Sequence, residues 1–209
     1  MPRSARANPL ALAVLCCLYE RPMHPYEVAQ TLKLRAKHES IKLNYGSLYS
    51  VVDGLESRGL IHARETVREG RRPERTIYEI TDAGKREATD WLSDLVSTPV
   101  KEFPQFEAAL SFLPALPPDE AVERLKERCF VLEIDLTRIR AMRSASADAG
   151  LPRLFELEAE YEQAIREAEL DYCRRLVKDI ETEQLDGLEM WRHFSVGGGD
   201  AIAGEFPTT

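Results

Sequence analysis

The 209-residue sequence predicts a mainly α-helical protein with one small β-hairpin, arranged as a helical head that ends in the hairpin and a second, coiled-coil-like helical part. Three observations predict it. Residues 44–59 open on Asn44, a good cap, close on Gly59, a good stop, and carry Leu48, Val51, Val52 and Leu55 on one helical stripe. Two short runs, 60–64 and 76–80, are β-branched or apolar and flank Arg68-Glu69-Gly70-Arg71-Arg72-Pro73, a glycine turn rich in cations. Finally, Val122, Leu125, Cys129, Leu132, Leu136 and Ile139 recur at alternating three- and four-residue steps, the spacing of a coiled-coil seam.

The elements follow in order. Residues 1–8, with Arg3 and Arg6 among small residues, read as a frayed arm. Asn8 and Pro9 cap and start an almost wholly apolar helix that reaches Glu20 and must be buried on most sides. The stretch 21–25 contains Pro22 and Pro25 and forms a hinge; a second helix is expected from Pro25 to about Lys37, with Val28 and Leu32 inward and Lys33, Arg35, Lys37 and His38 on its polar side. A turn over 38–43 leads into the third helix. After the hairpin, Thr81 and Asp82 cap a fourth helix containing Ala88, Trp91, Leu92 and Leu95 that ends before Pro99.

Beyond a linker at 99–104, a short aromatic helix (105–113) is closed by Pro114, Pro117 and Pro118, and a long helix opens at Asp119. Residues 144–152 break it, and a second long helix carries Leu154, Leu157, Tyr161, Ile165, Ala168, Tyr172, Leu176 and Ile180 on one stripe. Two such helices have too few neighbours to cover both seams, so a second copy of the chain is the expected partner, meeting at Val122, Leu125, Cys129, Leu132, Leu136, Ile139, Leu157, Tyr161, Ile165, Tyr172 and Leu176. The acidic face formed by Glu156, Glu158, Glu160, Glu162, Glu167 and Glu169 is expected to be simply solvated. The predicted organisation is 1–98 as head, 99–185 as helical dimerisation domain and 186–209 as a tail. In the tail a short element around Leu188 to Phe194 and the triple glycine Gly197-Gly198-Gly199 precede a disordered end.

Composition narrows the function. Four cysteines, Cys16, Cys17, Cys129 and Cys173, fall inside predicted helices without metal-ligand spacing, and the four histidines are scattered, so no metal and no cofactor is expected. No run is long and apolar enough to span a bilayer, and no signal peptide is evident, which places the chain in a reducing cytoplasm. Enzyme classes fail for want of parts: there is no nucleophile elbow, no Walker loop and no dinucleotide fingerprint. The net charge of -8 is uneven: residues 1–98 hold 15 Lys and Arg against 13 Asp and Glu, and the rest 13 against 23.

The third helix is unusual on its outer side. Gly46, Ser50 and Asp53 stand where a solvated helix would carry Lys and Glu, with Ser47 and Tyr49 on the flanks. A small, hydrogen-bonding face suits a helix pressed into a DNA major groove, with Lys42 and Asn44 at its positively polarised end. Helices two and three then form a helix-turn-helix, and the hairpin a wing that lays Arg71 and Arg72 on phosphates or in a minor groove.

Five ordered blocks carry a family resemblance: His24-Pro25-Tyr26-Glu27-Val28, Tyr45-Gly46-Ser47-Leu48-Tyr49, Leu55-Glu56-Ser57-Arg58-Gly59-Leu60-Ile61, Gly70-Arg71-Arg72-Pro73 and Tyr78-Glu79-Ile80-Thr81-Asp82-Ala83-Gly84. Together they resemble the PadR family of bacterial transcriptional regulators over nearly all of the first 98 residues, departing from its pattern at Pro25, where Gly is usual, and Ser50, where Pro is usual. The resemblance implies a homodimeric winged-helix protein, usually a repressor that leaves an inverted-repeat operator when a small effector binds. By matching positions it implies DNA contacts at Tyr26, Ser47, Tyr49, Ser50, Arg71 and Arg72.

Several positions keep two readings. Tyr49 fits a core stack or a phosphate contact. Trp91, Phe103, Phe106 and Phe112 fit a pocket for a small aromatic effector or ordinary core packing. Cys16-Cys17 as a redox sensor is opposed by the apolar helix around it, which raises a thiol pKa. The head as a whole fits DNA binding or, as the alternative, a protein-interaction adaptor without sequence-specific DNA binding.

Overall fold

The computed structural model describes residues 8–38, 40–67 and 75–197. The chain divides into two compact units, Met1–Glu102 and Phe103–Thr209. Arg3 and Arg6, the turn bearing Arg71 and Arg72, and the end of the tail after residue 197 lie outside the described residues.

In the first unit, α1 (Pro9–Glu20) is capped by Asn8, whose side chain accepts the Leu10 N–H at 3.1 Å. It buries Leu10, Ala11, Ala13, Val14, Leu15, Cys17 and Leu18 and is the hub of the head, packing on its three other helices and its second strand. Next, α2 (Pro25–Leu34) opens with a capping box: His24 Nδ1 accepts the Tyr26 N–H at 3.0 Å, and Glu27 accepts the His24 N–H at 2.9 Å. Pro25 occupies the first helical position, where its missing N–H costs nothing.

That helix stops about one turn earlier than the periodicity suggests. Ala36 takes the left-handed conformation (φ 56°), and the Lys37 N–H reaches back to Leu32 O at 2.8 Å, closing the helix as a glycine would. By contrast, α3 (Tyr45–Ser57) ends as expected: Gly59 has φ 67°, and the Leu60 N–H bonds Leu55 O at 3.0 Å.

Strands β1 (Ile61–Val67) and β2 (Arg75–Ile80) pair antiparallel, from Ile61 with Ile80 to Val67 with Arg75, with a bulge between Ala63 and Glu65. Met23 adds a bridge to Tyr78, which fastens the hinge before α2 to the hairpin. Thr81 caps α4 (Asp82–Ser97) by accepting the Gly84 N–H at 3.0 Å, and its hydroxyl donates to Gly59 O at 2.8 Å. Leu48, Val52 and Leu55 of α3, Leu60, Ile61 and Ile80 of the hairpin, and Ala88 and Trp91 of α4 complete one core with α1, Met23 and α2. Leu92 and Leu95 are exposed.

In the second unit, α5 (Gln105–Ser111) and a single 3-10 turn precede α6 (Pro118–Asp148), which forms a hairpin with α7 (Leu157–Glu181); α8 (Leu188–Gly197) folds back on them. Val122, Leu125, Cys129, Leu132, Leu136 and Ile139 are all buried. Apart from Ile139, each belongs to a core shared with Leu170, Cys173, Val177 and Ile180 of α7 and with Leu188 and Trp191 of α8. The Trp191 indole N–H donates to Leu116 O at 2.7 Å and anchors the described part of the tail.

Two differences from the sequence reading stand out. The α6 seam is occupied within the chain, and of the predicted α7 stripe Leu157, Tyr161, Ile165 and Tyr172 are exposed and Leu176 half-buried. The helix has two apolar stripes, and periodicity does not say which one faces α6. The acidic face is also not simply solvated: Glu167 pairs with Arg140 at 2.7 Å, Glu160 with Arg153 at 2.7 Å, and Glu169 with Arg128. Arg128, Arg140 and Arg153 of this acidic half thus offset part of its negative face.

Candidate nucleic-acid interface

The first turn of α3 is built by Asn44. Its side-chain oxygen accepts the Ser47 N–H at 2.7 Å, and its carbonyl starts the helix with the Leu48 N–H at 3.0 Å. Asn44 is exposed at the N-terminal end of the helix, where an anion is favoured. Lys42 is exposed just before it.

Along the helix the small face is open. Gly46, Ser47, Ser50 and Asp53 are exposed, opposite Leu48, Val52 and Leu55. Ser50 donates its hydroxyl to Gly46 O at 3.2 Å, which turns its oxygen lone pairs outward as acceptors. Serine here, unlike proline, keeps its N–H, and α3 runs unbroken. A Cβ at Gly46 would meet only the Asn44 side-chain oxygen, at 3.7 Å, so what glycine contributes is low height on the outer face.

Aromatic residues flank this face on the side of α2. Tyr49 is 44% exposed and meets the His24 ring edge-on, centroids 6.5 Å apart, so it is not a core residue. Tyr26 stacks on Tyr45 at 6.1 Å with planes 15° apart, and Lys33 Nζ lies 5.0 Å above the Tyr45 ring. Tyr45, Lys33 and His24 were not singled out as site residues in the sequence. The available signal was Tyr45 and Tyr49 at i and i+4, which share a helix flank. Burial holds the His24 imidazole below its ordinary pKa, aided by Arg75 and partly opposed by Glu27, so the ring stays neutral and free to cap α2.

The remaining predicted site residues are dispersed. Trp91 is 2% exposed in the head core, and its indole nitrogen has no hydrogen-bond partner among the described residues. Phe106 belongs to the second unit, half-buried with the Arg128 guanidinium 3.8 Å from its ring centre, whereas Phe103 and Phe112 are exposed. The cysteine thiols are free; burial raises that of Cys16 and pushes those of Cys17 and Cys173 up to about 11. Among the described residues no group of three or more His, Cys, Asp or Glu could hold a metal, and no helix is long and apolar enough to cross a membrane.

Comparison with known proteins finds relatives of this fold. The chain is similar in fold to Bacillus subtilis PadR solved in complex with operator DNA (18% identity, 83% of this chain and 99% of that chain, TM-score 0.69). It is similar to the same protein in complex with p-coumaric acid (17%, 82% and 98%, TM-score 0.67). It is also similar to the Vibrio cholerae virulence activator AphA (17%, 83% and 99%, TM-score 0.65). No curated protein sequence matches the chain. Residues 14–90 match the model of the transcriptional regulator PadR-like family, a stretch that runs from α1 through the hairpin into α4. Residues 14–90 are thereby identified as a domain of the transcriptional regulator PadR-like family.

Proposed function

We propose that the chain is a dimeric DNA-binding repressor that leaves an inverted-repeat operator when a small-molecule effector binds. The observation that carries the DNA reading is the outer face of α3: an exposed helix start at Asn44 followed by Gly46, Ser47 and Ser50, with no bulky or acidic side chain before Asp53. Such a face admits base edges, and Tyr26, Lys42, Asn44 and Tyr49 surround it as phosphate contacts. Arg71 and Arg72 at the hairpin turn supply the wing contact. A dimer places two such helices roughly 34 Å apart in successive major grooves. As a DNA reader, the protein works in the cytoplasm.

The second copy pairs through the exposed α7 stripe of Leu157, Tyr161, Ile165 and Tyr172, since the α6 seam is occupied within the chain. The effector is a small aromatic molecule; Bacillus subtilis PadR, solved with p-coumaric acid, supports that class. The DNA test is a gel shift of the full chain against the upstream region of its own gene at several salt concentrations. Expected are an inverted-repeat site, affinity on the order of 10 nM and a steep salt slope. Arg71→Ala with Arg72→Ala should weaken all sequences and flatten the slope. An absent or salt-insensitive shift instead marks a protein-binding adaptor.

A further inference from the structure

We infer that Lys33 and Tyr45, braced by Tyr26, form a clamp for one phosphodiester oxygen of the duplex beside the recognition helix. The inference rests on the DNA-binding reading above. Lys33 Nζ lies 3.5 Å from the Tyr45 hydroxyl oxygen. An ammonium only donates, so the phenol oxygen accepts from Lys33 and its own proton is left to donate elsewhere. Two donors, one of them cationic, converge beside the first turn of α3, whose unbonded N–H groups add positive polarisation.

Pre-positioning separates this cluster from an ordinary surface lysine. Among the described residues, Tyr45 is the only polar partner of Lys33, and no carboxylate competes for the ammonium. The Tyr45 ring is held by the Tyr26 stack, although both rings remain more than 40% exposed. The cluster thus spans the two helices of the helix-turn-helix, Tyr26 and Lys33 two turns apart on α2 and Tyr45 opening α3.

Its place on the helix argues for phosphate rather than bases. Tyr45 shares the flank of Tyr49, towards α2, and lies off the Gly46 and Ser50 face that bases would meet. A contact there fixes how deeply and in which register α3 enters the groove, and carries no sequence information itself.

The test uses the full-length protein, a duplex enriched from a random-sequence pool by the wild type, and a scrambled duplex of equal length, with fluorescence anisotropy across a salt series. Lys33→Gln should make the slope of log K against log salt shallower by about 0.9, the value for one phosphate contact. Tyr45→Phe, which keeps the ring stack, should lower affinity for both duplexes by roughly three- to tenfold with the slope unchanged. Wild-type behaviour of either variant overturns the clamp, as does a Tyr45→Phe loss confined to the enriched duplex, which would mean base reading; the DNA-binding reading survives both results. A wild type that enriches no sequence and binds neither duplex overturns both.

Discussion

Arg58 Nη2 lies 3.3 Å from Glu87 Oε1, and this pair joins the end of α3 to the middle of α4. Glu87 is 8% exposed, a buried carboxylate in the head, while the Arg58 side chain is 29% exposed. Removing the guanidinium withdraws a cation from a carboxylate that water barely reaches. Arg58→Ala should therefore destabilise the head by about 1–2 kcal/mol, the partial exposure of Arg58 reducing the full buried-pair cost. Urea unfolding measures it. In a double-mutant cycle with Glu87→Gln the two losses should fail to add.

Gly84 and Gly54 should respond to alanine with opposite signs. A Cβ at Gly84 would lie 2.0 Å from Leu60 O and 2.7 Å from Ile80 Cγ1. Leu60 O cannot give way, because it accepts the Thr81 N–H at 3.0 Å where the hairpin enters α4. Gly84→Ala should cost about 1–3 kcal/mol as α4 is pushed off the hairpin. At Gly54, exposed in α3, an added Cβ meets nothing within 4 Å, so Gly54→Ala should stabilise by about 0.5–1 kcal/mol. Paired thermal melts read both signs at once.

Acid should loosen the start of α2. His24 caps that helix only while Nδ1 is unprotonated, and burial with Arg75 nearby lowers its pKa in the folded state. The unfolded chain therefore takes up the proton first as pH falls. This contribution is complete above the unfolded value of about 6.5 and is lost as pH drops through the lower folded value. His24→Asn keeps a capping acceptor that does not titrate. Its melting temperature should fall less than that of the wild type between neutral pH and pH 5, and equal slopes would show that His24 is not the titrating cap.

How much of this was legible in the sequence depends on how local each signal is. Helix α3 was legible because cap, stripe and stop lie together within residues 44–59, and Asn44 and Gly59 do what their chemistry dictates. The end of α2 was not, because Ala36 takes a conformation that residue type disfavours, and only the Lys37 bond to Leu32 shows it. Tyr45 was passed over as a site residue because its stacking partner, Tyr26, is distant in sequence and no short motif joins them. Tyr49 had two readings from its flank position, and its exposure beside His24 takes it out of the core. In the second unit, spacing correctly marks two apolar helices but cannot rank the two stripes of α7, since both satisfy helical periodicity. Leu170, Cys173, Val177 and Ile180 meet the α6 core, with half-buried Leu176 packed against it.

With the second copy paired through the outward stripe as proposed, the two stripes separate what the hairpin is from what it recognises. The residues that make α7 fold against α6 are not those it presents outward at Leu157, Tyr161, Ile165 and Tyr172. On that proposed pairing, substitutions along the outward stripe redirect which chain is accepted while the inner packing stays intact. Related copies of such a chain within one cell could therefore drift into mutually exclusive pairs without passing through an unfolded intermediate sequence.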